Sequence, residues 1–400
     1  APYRQLERLD LYREYTDKLI AEGHAYYCYC TEEELEKERA EQEARGEMPR
    51  YSGHCRNLTA EQEAAYRAEG RKPSVRFKVP EGRTYAFEDR IRGRVEFQSG
   101  DIGDWIMTRP DGIPTYNFAV VIDDHEMRIS HVIRGEEHLS NTPRQLMVYE
   151  ALGAEAPTFA HLPLILNQDR KKMSKRDESI IQFIEQYREL GYLPEAVLNF
   201  IVLLGWSPVG EQEIFSKEEL IAQFSLDRIS KSGAVFDTEK LAWMNNHYIK
   251  NADTARITEL CIPHLQKAGY LPAELDEASR KFAHELTALY QEQLNYAAEI
   301  TELAKLFFTE LAEPDEEGQA ILAEPQVPAV LAAFRKQVEA AETFTPEAIG
   351  VMLKAVQAET GAKGKGLFMP IRVKLTGQLH GRDLNRTISL LGRDKVLSRL

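Results

Sequence analysis

The sequence predicts a multidomain protein that combines an α+β segment, part of a parallel α/β sheet, and a helical half. Residues 1–113 hold short helices and short strands that are separated by glycine-containing turns. Residues 114–166 alternate helix and strand, which is typical of a parallel sheet. Beyond residue 180 the apolar residues follow helical spacing almost throughout. A chain of 400 residues is also long enough for more than one domain.

The composition is that of a soluble globular protein. With 43% hydrophobic residues and a net charge of −14, the chain has too much apolar material for a disordered protein. The longest apolar stretch, residues 196–206, contains Asn199 and falls short of the roughly 18 residues that a membrane span needs. Ala1 is not preceded by Met, and no signal segment follows it. We therefore expect a cytoplasmic protein and exclude a membrane protein.

In the first segment, local patterns define each element. Apolar residues at three-to-four spacing predict a helix over 6–20, which Gly23 ends. Thr31 is placed to cap a charged helix over 32–45, and a second polar helix is predicted over 60–69. Strands are predicted at 75–79, 85–88, 95–98 and 105–108.

The next segment predicts half of a parallel sheet. A helix is expected from Thr115, a strand at 128–133, a helix from Thr142 and a strand at 162–166. A nucleotide-binding fold of this class needs an earlier strand and a phosphate-binding turn, and nothing before Tyr116 supplies them. We therefore expect an N-terminal segment to be absent from this chain.

The helical half ends in a basic region. Residues 363–400 carry nine Lys or Arg and two Asp, a net charge of +7 in an otherwise acidic protein. This asymmetry indicates contact with a polyanion, although a solvated helical surface would have the same composition. Helices are predicted over 180–190, 194–204, 217–224 and 238–245, and from residue 253 onwards.

Three of the four cysteines lie close together in the sequence. Cys28, Cys30 and Cys55 fall within 28 positions, too few for a disulfide scaffold in a protein of this length. Three thiols at this spacing favour a metal site, and reduced, packed cysteines are the alternative. Cys261 stands alone in a helical pattern and is expected in the core.

A charged cluster directly follows the predicted strand at 162–166. Residues 169–177 contain five cations and two anions. Ligands bind at the carboxyl ends of parallel strands, and a lysine-rich loop there can neutralise phosphates. Phosphate binding is the interpretation that we favour over a merely solvent-exposed loop.

One part of this cluster resembles a known motif. Residues 172–176, Lys-Met-Ser-Lys-Arg, are similar to the KMSKS loop of class I aminoacyl-tRNA synthetases, in the form found in glutamyl-tRNA synthetases. Matching motifs extend over the whole chain, so that it resembles the bacterial glutamyl-tRNA synthetase family. They are Tyr-Tyr-Cys-Tyr-Cys at 26–30, Pro-Thr-Tyr-Asn-Phe at 114–118, Val-Ile-Asp-Asp at 121–124, Ile-Arg-Gly-Glu-Glu-His at 133–138, Asn-Thr-Pro at 141–143 and Val-Phe-Asp-Thr-Glu-Lys-Leu at 235–241.

The resemblance implies a Rossmann-type catalytic fold, present in its C-terminal half, with an acceptor-binding α+β insert and an all-α anticodon-binding half. Residues 1–113 would hold the end of the first catalytic half and the insert, and residues 114–160 the second half of the Rossmann domain. Residues 161–248 would form a stem-contact region with the Lys-Met-Ser-Lys-Arg loop. Residues 249–400 would form the anticodon-binding domain.

The implied reaction has two steps. Glutamate attacks the α-phosphate of ATP to form an adenylate, and the 3′-terminal ribose of tRNA then takes the acyl group. Lys172 and Lys175 would be catalytic, because cations stabilise the charge that develops on the phosphates. Met173, Ser174 and Arg176 would belong to the same nucleotide-binding loop, with Met173 behind the adenine.

The resemblance also assigns a substrate site. Arg134 and Tyr116 would bind the glutamate, since the planar guanidinium suits a carboxylate. Glu137 would accept hydrogen bonds from the ATP ribose, Gly135 would let the backbone approach the nucleotide, and His138 would lie near it.

Two further assignments concern metal and tRNA. Cys28, Cys30 and Cys55 resemble the zinc knuckle of some bacterial members, with Tyr51 or His54 as candidates for the fourth ligand. In a helix predicted over 289–308, Gln293 stands where members specific for tRNA(Glu) have Arg. Such a Gln would discriminate the third anticodon base poorly and would extend the tRNA scope to tRNA(Gln).

The implied partners are tRNA(Glu), with tRNA(Gln) as a second candidate, L-glutamate and ATP with Mg²⁺, acting on a monomer. The family's HIGH-type motif lies on about 70 residues that would precede this start, so the isolated chain is expected to be inactive. A noncatalytic tRNA-binding module is the alternative. Glutaminyl-tRNA synthetase is a weaker one, because residues 250–400 read as helical rather than as β-barrels.

Overall fold

The computed structural model describes residues 3–173, 181, 183–311 and 313–400. These form two compact units. The first comprises Ala1–Lys172, Leu203–Glu213 and Ile221–Phe236, and the second Met173–Val202, Ile214–Leu220 and Asp237–Leu400. The division into four segments that the sequence suggests stays a prediction.

Short helices and strands build the first unit. Its helices are α1 Leu9–Ala21, α2 Glu32–Ala44, α3 Ala60–Ala68, α4 Tyr116–Glu126 and α5 Thr142–Leu152. Its strands are β1 Ala25–Cys28, β2 Ser74–Phe77, β3 Thr84–Asp89, β4 Gly93–Gln98, β5 Trp105–Thr108, β6 His131–Gly135, β7 Thr158–Leu162, β8 Ile165–Leu166 and β9 Ala234–Val235.

These strands form three sheets. One is antiparallel in the order β1-β2-β5, and a second has the order β4-β3-β7-β6. In the second, β7 runs parallel to both β3 and β6, so part of the expected parallel sheet is present. The hairpin β3–β4, which the sequence assigned to the insert, belongs to this sheet. The third sheet pairs β8 with β9 in parallel.

Local signals set most of these elements. The Thr31 and Thr59 side chains accept hydrogen bonds from the third residue of α2 and α3, and Glu34 and Gln62 return the bond. Both are capping boxes, which satisfy backbone donors at a helix start. Tyr12, Leu19, Phe77, Phe118 and Met147 are among the buried residues that pack the core of this unit.

Some sequence-based bounds are wrong here. The single strand predicted over 162–166 is two strands in different sheets, because Pro163 has no N–H to donate and interrupts the ladder. The strand predicted over 128–133 begins instead at His131 and includes Arg134. The short strand β1 was missed altogether.

The second unit is helical, as expected. Its elements, with the connecting helices, are α6 Ile184–Leu190, α7 Pro194–Leu203, α8 Lys217–Gln223, α9 Thr238–Asn251, α10 Thr254–Lys267, α11 Glu277–Tyr290, α12 Ile300–Leu303, α13 Lys305–Phe308, α14 Glu316–Leu322, α15 Val327–Glu339, α16 Pro346–Thr360, α17 Lys365–Thr376, α18 Leu384–Leu391 and α19 Arg393–Arg399. Cys261 lies fully buried in its core, as predicted. Residue 180, the predicted start of α6, lies outside the described residues.

The helix predicted over 289–308 is wrong. After α11 the chain forms 3-10 turns at Gln291–Gln293 and Ala297–Glu299 before α12 begins. Asn245 and Asn246 donate side-chain hydrogen bonds to the carbonyls of Asn295, Glu292 and Leu294. These tertiary bonds satisfy carbonyls that a continuous helix would use, so they hold the chain out of helical form.

Within the described residues, no helix combines the length and the apolar character that crossing a membrane requires.

Candidate active site and metal centre

The centre of the candidate site is the Arg134 guanidinium at the end of β6. Its Nη2 donates to Thr142 Oγ1 and Gln145 Oε1, both at 2.9 Å. Its Nη1 lies 3.4 Å from the Tyr116 hydroxyl, and its Nε lies 3.1 Å from His161 Nε2. The residues predicted to bind substrate, Arg134 and Tyr116, are therefore neighbours although 18 positions separate them.

The hydrogen-bond partners of Arg134 within the described part of the chain are neutral groups. A guanidinium is charged at all physiological pH values, and no carboxylate in that part lies within ion-pair distance of it. Tyr116 is 47% exposed, and its ring lies 5.7 Å from the His138 ring. A cation without an anionic partner beside an exposed phenol can bind an incoming carboxylate.

A fully buried pair lies behind Arg134. His161 is 0% exposed and Asp89 is 3% exposed, and His161 Nδ1 lies 2.6 Å from Asp89 Oδ2. Burial lowers the pKa of His161, and the Arg134 charge lowers it further. Burial alone would raise the pKa of Asp89, but backbone hydrogen bonds from Arg92 and Ile91 and the bond from His161 bring it below its ordinary value. The pair is therefore a carboxylate and a neutral imidazole.

The 3-10 turn Glu136–Asn141 follows β6 and carries the predicted nucleotide ligands. Glu137 folds back over Gly135 so closely that a Cβ at Gly135 would collide with its carboxylate. Glu137 Oε1 lies 3.1 Å from Lys172 Nζ. A bond from its own backbone N–H and then the Lys172 ammonium lower the pKa of Glu137. A side chain at position 135 would therefore displace the Glu137 carboxylate from this position.

The lysine-rich loop begins within this unit. Lys172 and Leu166 form an isolated antiparallel β-bridge through their backbones. The backbone N–H of Lys171 donates to the Asn167 side-chain oxygen. His138 Nδ1 lies 3.2 Å from the Asn141 amide. Met173 is partly exposed. The predicted nucleotide ligands Ser174, Lys175 and Arg176 lie outside the described residues.

The three clustered cysteines come together at the end of β1. The ligand atoms of Cys28, Cys30 and Cys55 all lie within 4.8 Å of one another, and Cys30 Sγ is 3.5 Å from Cys55 Sγ. Hydrogen bonds from Cys30 and Cys55 lower the pKa of the Cys28 thiol. Zinc–sulfur bonds of about 2.3 Å in a tetrahedral site put sulfurs about 3.8 Å apart, so this spacing fits zinc.

Tyr51 is the better placed of the two candidates for the fourth ligand. Its hydroxyl lies 3.5 Å from Cys28 Sγ and 3.6 Å from Cys30 Sγ, whereas His54 Nε2 faces the Tyr66 hydroxyl at 3.3 Å. Arg76 stacks 3.8 Å from the Tyr51 ring centre and directs Nε to Cys28 Sγ at 3.2 Å. A cation beside the sulfurs stabilises thiolates, as a metal ligand requires.

Gln293 lies in the second unit, at the rim of a cavity of about 300 Å³. Arg372, Gln378, His380 and Arg382 line the same cavity. Arg382 Nη1 donates to Glu292 at 3.0 Å. Glu302 also lines the cavity, so the cavity is polar and carries charges of both signs. Gln293 is the last residue of the 3-10 turn Gln291–Gln293.

Sequence reasoning missed four residues around Arg134. Asp89, His161, Thr142 and Gln145 are all buried polar residues and reach Arg134 directly or through His161. His161 sits opposite Arg134 in the register of β6 and β7. Asp89 precedes His161 by 72 positions, so only the pairing of the strands reveals the cluster. His161 directly precedes the strand predicted over 162–166, and this position was the available signal.

Comparisons with known proteins identify the family. Residues 1–243 match the family model described as "tRNA synthetases class I (E and Q), catalytic domain", and residues 256–400 match "Anticodon binding domain". The chain is 60% identical over 400 residues to a "Glutamate--tRNA ligase" of Geobacillus stearothermophilus and covers 82% of it. It is 57% identical over 399 residues to the Bacillus subtilis (strain 168) protein of that name and covers 83% of it.

A solved structure agrees as well. The glutamate tRNA ligase from Elizabethkingia meningosepticum, determined in complex with its amino acid, matches all of this chain over 83% of its own, with a TM-score of 0.88 and 33% identity. Identities of 57% and 60% to the two ligases over the whole chain, together with both domain matches, show the family. The chain belongs to the glutamate–tRNA ligases, which are class I aminoacyl-tRNA synthetases.

Proposed function

We propose that the protein to which this chain belongs catalyses the ATP-dependent attachment of glutamate to tRNA(Glu) through a glutamyl-adenylate. The observation that carries the proposal is the Arg134 guanidinium, which lies at the carboxyl end of a parallel strand with neutral protein partners only, among the described residues. Ligands of open α/β sheets bind at this end of the strands.

Arg134 and Tyr116 would bind the side-chain carboxylate of glutamate. Thr142 and Gln145 occupy the Nη2 donors, so the Nη1 edge, 3.4 Å from the Tyr116 hydroxyl, faces the substrate. An arginine–carboxylate bond in a partly buried site is stronger than a neutral one. The site would therefore select glutamate over its neutral amide.

Glu137, Gly135 and Lys172 would form the nucleotide side of the site. Glu137 offers acceptors to ribose hydroxyls, and Gly135 leaves the space that Glu137 needs. Lys172 is paired with Glu137 but more than half exposed, so its ammonium can move to the phosphates of ATP with Mg²⁺. His138, Met173, Ser174, Lys175 and Arg176 complete this side as inferences from the family motif. Lys172 and Lys175 would stabilise charge on the phosphates.

Zn²⁺ would be held by Cys28, Cys30, Cys55 and the Tyr51 phenolate. The sulfur spacing and the Arg76 donor support this ligand set. A closed four-ligand site is structural rather than catalytic, and it would fix β1 against the turn that contains Cys55.

A wider tRNA scope is the second proposal. Gln293 lines a polar cavity, and its neutral amide can both donate and accept hydrogen bonds. Such a side chain discriminates less between anticodon bases than a guanidinium, so glutamate would also be attached to tRNA(Gln).

The test of the main proposal is charging of tRNA with radiolabelled glutamate by the purified protein. ATP-dependent, glutamate-specific charging of tRNA(Glu) is expected when the N-terminal segment of a relative is joined to the chain, whereas the sequence predicts no charging by the 400 residues alone. The joined protein is the wild type in the activity measurements below. Binding of tRNA by the joined protein without any charging would instead favour a noncatalytic tRNA-binding module.

The tRNA scope is tested in the same assay with tRNA(Gln). The proposal predicts charging of both tRNAs, and Gln293→Arg should reduce charging of tRNA(Gln) by about tenfold, which corresponds to about 1.4 kcal/mol. Gln319→Arg is the matched control, because Gln319 is exposed and does not line the cavity, and it should leave charging of tRNA(Gln) unchanged. No detectable charging of tRNA(Gln) by the unchanged protein would remove this proposal.

A further inference from the structure

We propose that Asp89 and His161 are positioning residues that hold the Arg134 guanidinium in the orientation in which it binds the substrate carboxylate. The inference rests on the proposed role of Arg134 in glutamate binding. It concerns residues that do not touch the substrate and act through Arg134 alone.

The protonation of the pair follows from its geometry. Asp89 Oδ1 accepts backbone hydrogen bonds from Ile91 at 2.9 Å, Arg92 at 2.8 Å and His161 at 3.2 Å. Three donors at one oxygen favour the ionised form of Asp89. Arg134 Nε always carries a proton and lies 3.1 Å from His161 Nε2, so Nε2 accepts and the imidazole proton is on Nδ1. Nδ1 then donates to Asp89 Oδ2 across 2.6 Å.

That proton decides what His161 offers to Arg134. A neutral imidazole with its proton on Nδ1 has a free lone pair on Nε2. Arg134 Nε can then donate to His161 Nε2 across 3.1 Å, and Thr142 Oγ1 lies 3.3 Å from the same nitrogen. In the other tautomer, two N–H groups would face each other across this contact. Asp89 thus makes His161 an acceptor.

The acceptor fixes the plane of the guanidinium. His161 takes Nε, and Thr142 and Gln145 take Nη2, so three buried acceptors hold two edges of the group. The remaining edge is directed towards Tyr116. A preorganised donor loses less rotational freedom when it binds a carboxylate, which is the purpose of such positioning.

The sharpest test is Asp89→Asn. The Asn oxygen can keep the backbone bonds, but its NH₂ group would face His161 Nδ1 and force the proton onto Nε2. The tautomer is read from the ¹⁵N shifts of labelled histidine, and glutamate affinity by equilibrium titration. We expect a change of tautomer, glutamate binding weaker by about tenfold and unchanged ATP affinity.

Asp104→Asn is the matched control. Asp104 is also a buried carboxylate that accepts a backbone hydrogen bond, from Val79, but it contacts the antiparallel sheet and not Arg134. It should leave both the His161 tautomer and the glutamate affinity unchanged. If it weakened glutamate binding as much as Asp89→Asn, the positioning role would be overturned.

Two replacements of His161 separate positioning from packing. In His161→Gln, the amide oxygen can take the place of Nε2 and still accept from Arg134. In His161→Asn, the shorter amide can reach Asp89 but not Arg134. The proposal expects glutamate affinity close to wild type for Gln and a loss of about tenfold for Asn. Equal losses in both would indicate a merely structural histidine.

Arg134→Gln distinguishes failure of this inference from failure of the proposed function. If Arg134→Gln weakens glutamate binding and Asp89→Asn does not, Arg134 binds glutamate but needs no positioning by the pair, and the inference is overturned. If neither substitution changes glutamate affinity, the role of Arg134 itself is wrong and the inference falls with it.

Discussion

The Arg134 cluster and the cysteine cluster are both groups of largely buried polar side chains, but their hydrogen-bonding groups are satisfied in different ways. Around Arg134, the Nε and Nη2 donors have oxygen or nitrogen acceptors from the protein. In the cysteine cluster, the Tyr51 hydroxyl lies 3.5–3.6 Å from two of the sulfurs. Cys30 Sγ lies 3.5 Å from Cys55 Sγ, and all three sulfurs lie within 4.8 Å of one another.

The two clusters therefore differ in what stabilises them. Neutral acceptors satisfy the guanidinium donors without neutralising the charge, so an anion can be added to a site that is already formed. Thiols are weak donors and weak acceptors for one another, so a metal ion would strengthen their cluster greatly. These properties fit the proposals that the first cluster binds a substrate and that the second holds a structural ion.

Removal of the charge at Arg134 should have the largest effect on activity. Arg134→Gln should lower kcat/KM for glutamate by a factor of about 100 or more, because the charge-assisted hydrogen bond from Nη1 is lost together with the positive charge. The measurement is glutamate-dependent ATP–pyrophosphate exchange in the presence of tRNA.

Arg134→Lys is its control. Lysine keeps the charge but not the planar fork, so a smaller loss is expected. Equal activity of wild type and Arg134→Gln would show that the cluster is not a substrate site.

Zinc removal should act on the other cluster. If zinc exceeds its Kd about 1,000-fold, binding stabilises the fold by about 4 kcal/mol, which a chelator would abolish. The measurements are metal content and Tm with and without chelator. Cys55→Ser should lose the zinc, and Cys261→Ser, which lies in the helical core, should retain it. The metal centre would be contradicted if the purified protein contained no zinc and if added zinc did not change its Tm.

Acid should weaken the first cluster through His161. Its charged neighbours are Asp89 and Arg134, with His138 nearby and Arg92 bonded to its backbone carbonyl. Because its folded pKa is below the ordinary value of about 6.5, the unfolded chain binds the proton more readily. The contribution of the neutral His161 to the free energy of unfolding is complete above pH ~6.5. As the pH decreases below ~6.5, this contribution decreases by at most about 1.4 kcal/mol per pH unit.

Urea unfolding between pH 5 and pH 8 measures this dependence. The slope between pH 5 and pH 6.5 should be smaller in His161→Gln than in wild type. Identical slopes in the two proteins would mean that His161 does not titrate as the structure requires.

The smallest expected effect on stability comes from Asp124, a carboxyl group whose pKa is influenced by the charge of Arg134. Burial, opposed by Arg134 and reinforced by Asp123, raises the pKa of Asp124 to about 6. Its ionisation therefore costs stability as the pH rises from about 3.8 to about 6. Asp124→Asn should stabilise the protein by about 1 kcal/mol at pH 7.5 and by less at pH 4. Destabilisation of the same size at both pH values would contradict this assignment.

How much the sequence could predict differs between these sites. Arg134, Tyr116 and Glu137 were predicted because they stand in short motifs, and the spacing of Cys28 and Cys30 was itself a signal. The Asp89–His161 pair was not predictable, because it depends on which strands of the sheet become neighbours and in which register.

Other errors have local causes. Pro163 divides a strand that the apolar pattern joined. The segment around Gln293 has helical spacing, but hydrogen bonds from Asn245 and Asn246 hold it in another form. Tertiary polar contacts of this kind leave no trace in hydrophobic periodicity.

The central claim is that the cationic edge of Arg134 selects a carboxylate substrate. The most direct measurement compares L-glutamate with L-glutamine in tRNA-dependent ATP–pyrophosphate exchange, for wild type and for Arg134→Gln. The account predicts a preference of about 100-fold or more for glutamate in wild type, and its near loss in the variant. Equal use of both amino acids by wild type, or an unchanged preference in the variant, would contradict it.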